Sequence, residues 1–424
     1  MKINDLRAKI ENGELNKYTE LYRDLEVQKE RFLKAISKFE AVYGAERDVE
    51  VFSVSGRTEI SGNHTDHNNG KVLAGAIDRD IIAIAAKNDD GVVRLYSEGY
   101  PEDNVEISKT ADPSEFENYT SRALIAGVIN AFERDGYSVG GYDAYLTSDV
   151  LKGSGISSSA AYEVMIGNIL NYLYNDGKVD NVTVAKYAQY SENVYFGKPC
   201  GLMDQMACAV GGFVYIDFEN PREPVIESID FSLSSAGYAL CIVNTGGNHA
   251  DLNDDYASVP GEMKAVAKLL GRDVLRGLNE EDIIKNINNI RRLVGDRAIL
   301  RSLHFIRENE RVERIKESLK SADVEEFLQE VLASGRSSFQ YLQNVYTTVN
   351  VKEQGLSLAL ALAEGYLSGK SAAFRVHGGG FAGTIQVFVK NSDIDGFVEY
   401  MNSIFGDGTA TPLKIRPAGA CKLF

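Results

Sequence analysis

Histidine is scarce in this 424-residue chain, with five copies, as are cysteine, with four, and proline, with eight. Cys200, Cys208, Cys241 and Cys421 show no metal-ligand spacing, and four cysteines in a chain this long suit a reducing cytosol rather than a disulfide framework. Five histidines leave little room for a two-metal hydrolase. His64-Thr65-Asp66-His67 matches the second half of an H-x-H-x-D-H motif, but Gly62 stands where its first histidine belongs. No apolar run approaches the ~20 residues of a membrane span, and the mixed-charge N-terminus lacks the apolar core of a signal peptide. A basic stripe is missing too. The net charge of −16 argues against a general nucleic-acid binder, while leaving room for a small anion in a local basic pocket. With 44% hydrophobic and 25% charged residues, composition points to a soluble, acidic, cytoplasmic protein of two domains or one large one.

Residues 1–43 read as helical, with Phe32, Ile36, Phe39 and Val42 at helical spacing. Strand patterns follow in VEVFSVS (49–55), DIIAIAA (80–86) and VVRLYS (92–97), broken by Gly, Asn and Asp turns. A helix is expected from about Glu115 to Phe132, then a strand through GYDAYLTSD. Next come a glycine loop, LKGSG, and a helix with Tyr162, Met165, Ile166, Ile169 and Leu173 on one face. A further helix over roughly 183–195 and strands FVYIDF (213–218) and YALCIVNT (238–245) close this half. Residues 254–340 are dominantly helical. A helix at 350–366, strands AAFRVH and TIQVFVK, and a helix at 392–404 finish the chain. Strands, then helices, then a β–α ending imply an α+β fold of two lobes. The boundary falls near 220–235, dividing residues 1–228, with 1–40 as a helical extension, from 229–424.

Three glycine-rich stretches carry the chemistry. GYLSGKS (365–371) imitates a phosphate loop but is one residue short and joins helix to strand, the wrong order. His377 and the three glycines after it imitate an esterase oxyanion loop, yet no G-x-S-x-G occurs. GSGISSSAA (153–161) is different, because its glycines precede a helix start with three hydroxyls in the first turn. Unpaired N–H groups and the positive end of the helix dipole there favour phosphate, and a serine hydroxyl can ligate Mg²⁺. A serine cap after a glycine turn is the plainer reading. GGGF (378–381), between two strands, is either a hairpin turn or a second ligand-facing loop.

GRTEISGNHTDHNNG (56–70), GSGISSSAA, CGLMDQMACAVG (200–211) and GGGFAG (378–383), in this order, resemble the GHMP kinases and, within them, the galactokinases. The resemblance runs from about residue 40 to the C-terminus. It implies a two-lobed fold: a first lobe of mixed sheet and helices, and a second of helices packed on a ferredoxin-like antiparallel sheet. The implied activity is ATP-dependent phosphorylation of a sugar's anomeric C1 hydroxyl, with small-molecule partners only and a monomeric state. By this resemblance Asp204 and Arg57 are catalytic. Asn63, His64, Asp66, Gly201 and Tyr256 bind the sugar. Gly153, Ser154, Gly155, Ile156, Ser157, Ser158 and Ser159 bind ATP, with Gly378, Gly379 and Gly380 supporting the phosphates. Ser159 and Glu192 hold Mg²⁺.

A carboxylate beside a guanidinium stays ionised and is a weak base, which suits a loose phosphoryl-transfer transition state needing little early proton removal. The chain departs from the family pattern at Glu59, Asn63, His67 and Ala382, where asparagine, glutamate, tyrosine and glycine are usual. Asn63 matters most, since its amide can donate as well as accept and carries no charge to repel a C6 carboxylate. Galacturonate therefore stands beside galactose as a substrate. A third reading, a sugar-and-ATP sensor without catalysis, predicts damaged catalytic loops, whereas Arg57, Asp204 and the serine run are intact. The N-terminal extension is either a clasp on the domain surface or a dimer contact.

Overall fold

The computed structural model describes residues 1–150, 155–198, 200–247 and 252–424. It is built on two sheets. The larger has eight strands, ordered Ala420–Lys422, Glu50–Ser61, Lys71–Lys87, Tyr142–Ser148, Val92–Ser97 and Asp103–Glu106. Phe213–Asp217 pairs with the first part of Lys71–Lys87 and with Val225–Ile229. Pairing is antiparallel except between Val92–Ser97 and Tyr142–Ser148, whose connection includes the helix Ser121–Arg134, as parallel neighbours require. The smaller sheet is antiparallel, ordered Ala410–Leu413, Tyr238–Asn244, Thr384–Lys390 and Ala372–His377. These two sheets with their helices are the expected α+β, two-lobed arrangement.

Strand alternation divides the larger sheet's faces. Phe52, Val54, Ala83 and Ala85 point into a core shared with helices Ser121–Arg134, Ser158–Asn175 and Asn181–Tyr190. Val51, Ile82, Ile84, Ala86 and Tyr145 point the other way, where the helices Ile3–Glu11 and Leu25–Tyr43 cover them with Ile3, Leu6, Phe32, Ile36 and Phe39. The N-terminal extension is thus a clasp over a sheet face. Beneath it Asp80, fully buried, accepts from Tyr22 Oη at 2.8 Å and pairs with Arg31 at 2.6 Å and Arg416 at 3.2 Å. Burial opposes charge on Asp80, but the two guanidiniums and the Ser53 hydroxyl hold its carboxyl below the ordinary range.

The strand Lys71–Lys87 is twice as long as its visible pattern, because nearly every residue is buried on both faces and alternation vanishes. The helix expected from Glu115 starts at Ser121. Pro113–Glu115 forms a separate 3₁₀ turn capped by Asp112, and Thr120 Oγ1 caps the helix proper. The helix Asn181–Tyr190 runs into a π-helical turn, Ser191–Phe196, which carries Glu192. Ala420–Lys422, within the expected second lobe, returns to pair with Phe52–Val54 of the first. The 25-residue helix Asp296–Lys320 lies between the lobes, with Val312 and Ile315 in the larger sheet's core and Ala298 and Phe305 among the second lobe's helices. On the first strand, register shifts fall between Ser55 and Arg57 and between Glu59 and Ser61. These irregularities bracket the two residues on which the site turns.

Candidate active site between the lobes

Arg57 grips Asp204 with both arms of its guanidinium, Nε to Oδ1 at 2.7 Å and Nη2 to Oδ2 at 2.8 Å. Its third arm, Nη1, donates to the Gly155 carbonyl. Asp204 lies in the first turn of the helix Met203–Val210, where the helix dipole favours negative charge, and Ser157 Oγ donates to its Oδ2 at 2.5 Å. Burial opposes the charge, yet Arg57, Ser157 and Lys198 hold the carboxyl below its usual range. Arg57 is correspondingly strengthened as a cation. The Asp204 side chain is 34% exposed against 9% for Arg57, so the cation is the buried support and the carboxylate the accessible group.

Of the expected phosphate loop, Gly153 and Ser154 lie outside the described residues. Gly155 and Ser157 both adopt left-handed backbone, with φ of 72° and 62°. The Ile156 carbonyl accepts the Arg57 N–H at 3.1 Å, stitching the loop to the first strand. Ser157 precedes the helix Ser158–Asn175 but makes no side-chain cap, its hydroxyl being turned to Asp204. The helix start is thus left open to an anion, with Ser158 half-buried and Ser159 exposed.

The sugar loop lies against the glycine loop of the other lobe. His64, at φ 59°, bonds through Nε2 to the Gly379 carbonyl at 2.8 Å, so that nitrogen carries the hydrogen. Burial pushes its pKa down to about 4, leaving a neutral ring. Asp66 Oδ1 accepts the His67 N–H at 2.9 Å. Gly201 sits so close that a methyl group there would stand 2.7 Å from Asp66 Oδ2. Tyr256 Oη donates to the Gly380 carbonyl at 2.7 Å, and its ring lies where a Gly379 side chain would be. Asn63 Nδ2 donates to the Gly378 carbonyl at 2.7 Å. All three glycine carbonyls therefore serve the sugar loop or Tyr256, and Gly378–Gly380 is brought to the sugar side of the site. Beside this loop lies an open cavity of about 160 Å³, lined by Arg57, Glu59, Asn63, His64, Asp66 and Gly378 among others. One water needs about 10–15 Å³ by the same measure, so the cavity has room for a small polar molecule.

Glu192 and Ser159 are not joined by any hydrogen bond among the described residues. Glu192 is buried, with Lys198 Nζ on Oε1 at 3.2 Å and Gln205 Nε2 on Oε2 at 2.9 Å. The same Gln205 amide reaches Glu163 Oε2 at 3.1 Å, while Glu163 Oε1 is buried without a partner among the described residues. Burial and then the neighbouring Glu192 push Glu163 well above the usual carboxylate range. The carboxyl groups of Asp204 and Glu192 thus face the cations of Arg57 and Lys198, while Glu163 is held toward its neutral form. No cluster of three or more acidic, histidine or cysteine ligands exists among the described residues.

Several participants carry no local sequence signal. Arg375, fully buried, donates to the Ile60 carbonyl at 2.6 Å and to Glu59 Oε1 at 3.2 Å. Asn344 Nδ2 donates to Asn63 Oδ1 at 2.6 Å. Glu308, fully buried beside Arg311, accepts from Ser61 Oγ at 2.9 Å and the Gly62 N–H at 3.0 Å. Only long-range pairing, hundreds of residues apart, could have revealed these.

A profile described as the GHMP kinases N terminal domain matches residues 123–212, and one described as the galactokinase galactose-binding signature matches residues 37–87. A galactokinase of Streptomyces coelicolor is 32% identical over 373 residues, covering 87% of this chain and 91% of that protein. The chain belongs to the galactokinase family. Another galactokinase, from Clostridium tetani, is 29% identical across 85% of this chain and 88% of its own length. Among solved structures, Lactococcus lactis galactokinase complexed with galactose has the same fold, with a TM-score of 0.75, 22% identity, and coverage of 91% of this chain and 98% of that one. A mevalonate kinase is similar at a TM-score of 0.60 and 12% identity, over 87% of this chain and 99% of that one. Within this galactokinase-family chain the galactose-binding signature spans the first strand, the sugar loop and the whole of Lys71–Lys87.

Proposed function

We propose that the chain transfers the γ-phosphoryl group of ATP to the C1 hydroxyl of galactose, giving galactose 1-phosphate and ADP. The observation that carries this reading is the fork of Arg57 on Asp204, set between a monosaccharide-sized cavity and a helix start open to phosphate. Asp66 and His64 hold sugar hydroxyls from the loop, as anionic acceptor and neutral ring. Asp204 accepts a hydrogen bond from the reacting hydroxyl and orients its oxygen in line with the phosphorus. Kept ionised by Arg57, it is a weak base. The loose transition state requires no more, since the hydroxyl becomes acidic only as the new P–O bond forms. Arg57, anchored to the Gly155 carbonyl, offsets charge on the group in flight. Residues 155–159 support the phosphates together with Gly153 and Ser154. Ser159 and Glu192 would hold Mg²⁺, which when bound supplies charge neutralisation to the phosphate oxygens.

The test is ADP release with Mg-ATP and galactose, for the natural chain and for Asp204→Asn. The expected result is galactose-dependent release lowered at least about a hundredfold in the variant, the lower range for positioned acid–base groups. Undiminished release in Asp204→Asn, or none with any sugar in the natural chain, would overturn the reading.

A further inference from the structure

Asn63 and Glu59 share one wall of the sugar cavity, but only one has anything left to offer a ligand. The Asn63 amide has two hydrogens and two acceptor positions. Its hydrogens go to Glu59 Oε1 at 2.8 Å and the Gly378 carbonyl at 2.7 Å. Its oxygen accepts from Asn344 at 2.6 Å and Ser338 Oγ at 3.4 Å. At 1% exposure the side chain is a strut between lobes, not a reader of sugar. Glu59 is 5% exposed and lines the cavity. Its Oε1 takes Asn63 and Arg375, while its Oε2 has no hydrogen-bond partner among the described residues.

We propose that Glu59 is the specificity-determining residue of this site: its free carboxylate oxygen accepts a sugar hydroxyl remote from the reacting one, and the wall it forms excludes acidic sugars. This rests on the sugar-kinase reading above and narrows it to neutral hexoses. The remoteness follows from the strand. Glu59 lies two residues beyond Arg57, roughly 7 Å along an extended chain, while the reacting hydroxyl belongs beside Asp204. The exclusion follows from charge. The cavity is lined by two acidic side chains, Asp66 and Glu59, the latter shifted by burial toward its neutral form, and each nearby guanidinium already faces a carboxylate. Arg57 forks Asp204 and holds the Gly155 carbonyl, and Arg375, behind the cavity lining, bonds Glu59 and the Ile60 carbonyl. A uronate would bring its charge into a partly dry pocket with no partner. The neutral amide at position 63, which looks permissive toward a uronate in the sequence, lines the cavity with its hydrogens and oxygen already taken by protein partners.

The experiment measures kcat and KM with galactose, its 2-, 4- and 6-deoxy analogues and galacturonate, on the natural chain and on Glu59→Gln. Glu59→Asp keeps the charge and guards against misfolding of the first variant. The natural chain should reject galacturonate by at least about a hundredfold in kcat/KM. Glu59→Gln should raise the galactose KM about ten- to a hundredfold with a smaller change in kcat, the range for one charged hydrogen bond. It should also narrow the galactose-to-galacturonate ratio, and one deoxy analogue, now missing nothing, should lose its disadvantage only in this variant. Glu59→Asp should retain discrimination against galacturonate. A structural role alone would weaken all sugars equally, so unchanged ratios in Glu59→Gln overturn the proposal, as does efficient use of galacturonate by the natural chain. Absence of turnover with every sugar in the natural chain would instead sink the kinase reading itself.

Discussion

Replacing Arg57 by lysine keeps a positive charge and destroys the fork. The guanidinium makes three hydrogen bonds, two to Asp204 at 2.7 and 2.8 Å and one to the Gly155 carbonyl. An ammonium is a point donor on a flexible stem and cannot span both carboxylate oxygens and the loop. Two bonds are lost. Hydrogen bonds to charged groups contribute about 1.5–3 kcal/mol each. Asp204 is a third exposed, and water takes up some of the loss, so the low end applies. That gives about 3 kcal/mol, or roughly a hundredfold in kcat at 1.36 kcal/mol per tenfold. The assay is ADP release at saturating galactose and Mg-ATP, with thermal unfolding alongside. Because the lysine acts through Asp204, Arg57→Lys made in an Asp204→Asn background should cost under about tenfold, the mark of coupled neighbours. A kcat within a few-fold of the natural chain, or full additivity with Asp204→Asn, would refute the argument.

The remaining expectations concern what holds the site rather than what reacts there. Glu308→Gln takes the nearer carboxylate from Arg311, leaving it only Glu330 at 3.6 Å, and loosens the Ser61–Gly62 end of the first strand. Unfolding in denaturant should show a loss of about 3–5 kcal/mol, with a raised galactose KM in the protein that stays folded. Asp78, raised to about 6 by burial, gives a pH signature. The folded state holds its proton more tightly than the unfolded chain, so Asp78 lowers stability as pH rises from about 4 to about 6. Asp78→Asn removes that slope. It should be more stable than the natural chain at pH 8, by up to about 2–3 kcal/mol, and no more stable at pH 4. Thermal unfolding across that range checks it, and equal curves at both ends would contradict the burial argument.

The proposed catalytic pair was legible because phosphoryl transfer needs a few residue types at fixed places on short motifs, and Arg57, Asp204 and the serine run all lie in such motifs. Their mutual contact was inferred only through the family resemblance, since 147 residues separate them. The Gly378–Gly380 loop was visible as glycine but not as the acceptor surface for Asn63, His64 and Tyr256, because carbonyl direction leaves no trace in residue type. Asn63 drew attention as an uncharged residue at a key position, while the partners that consume its amide lie elsewhere: Glu59 on the preceding strand, Asn344 and Gly378 on the second lobe. Most strands and helices followed from periodicity. Those missed were three- to five-residue strands such as Ala420–Lys422 and Val225–Ile229, too short to show a period.

The pairing of the first strand with the last has a consequence during synthesis. Val54 finds its partner, Ala420, only after 366 more residues have been made. At about 5–20 residues per second that is a wait of roughly 20–70 s. Throughout it, the strand that carries Arg57 and Glu59 has one hydrogen-bonding edge unmet, open to any other extended segment nearby. The clasp of residues 3–43 is made first and can settle on the sheet early, but it covers a face and leaves that edge bare. That strand is therefore open to mispairing until the last residues of the chain have been made.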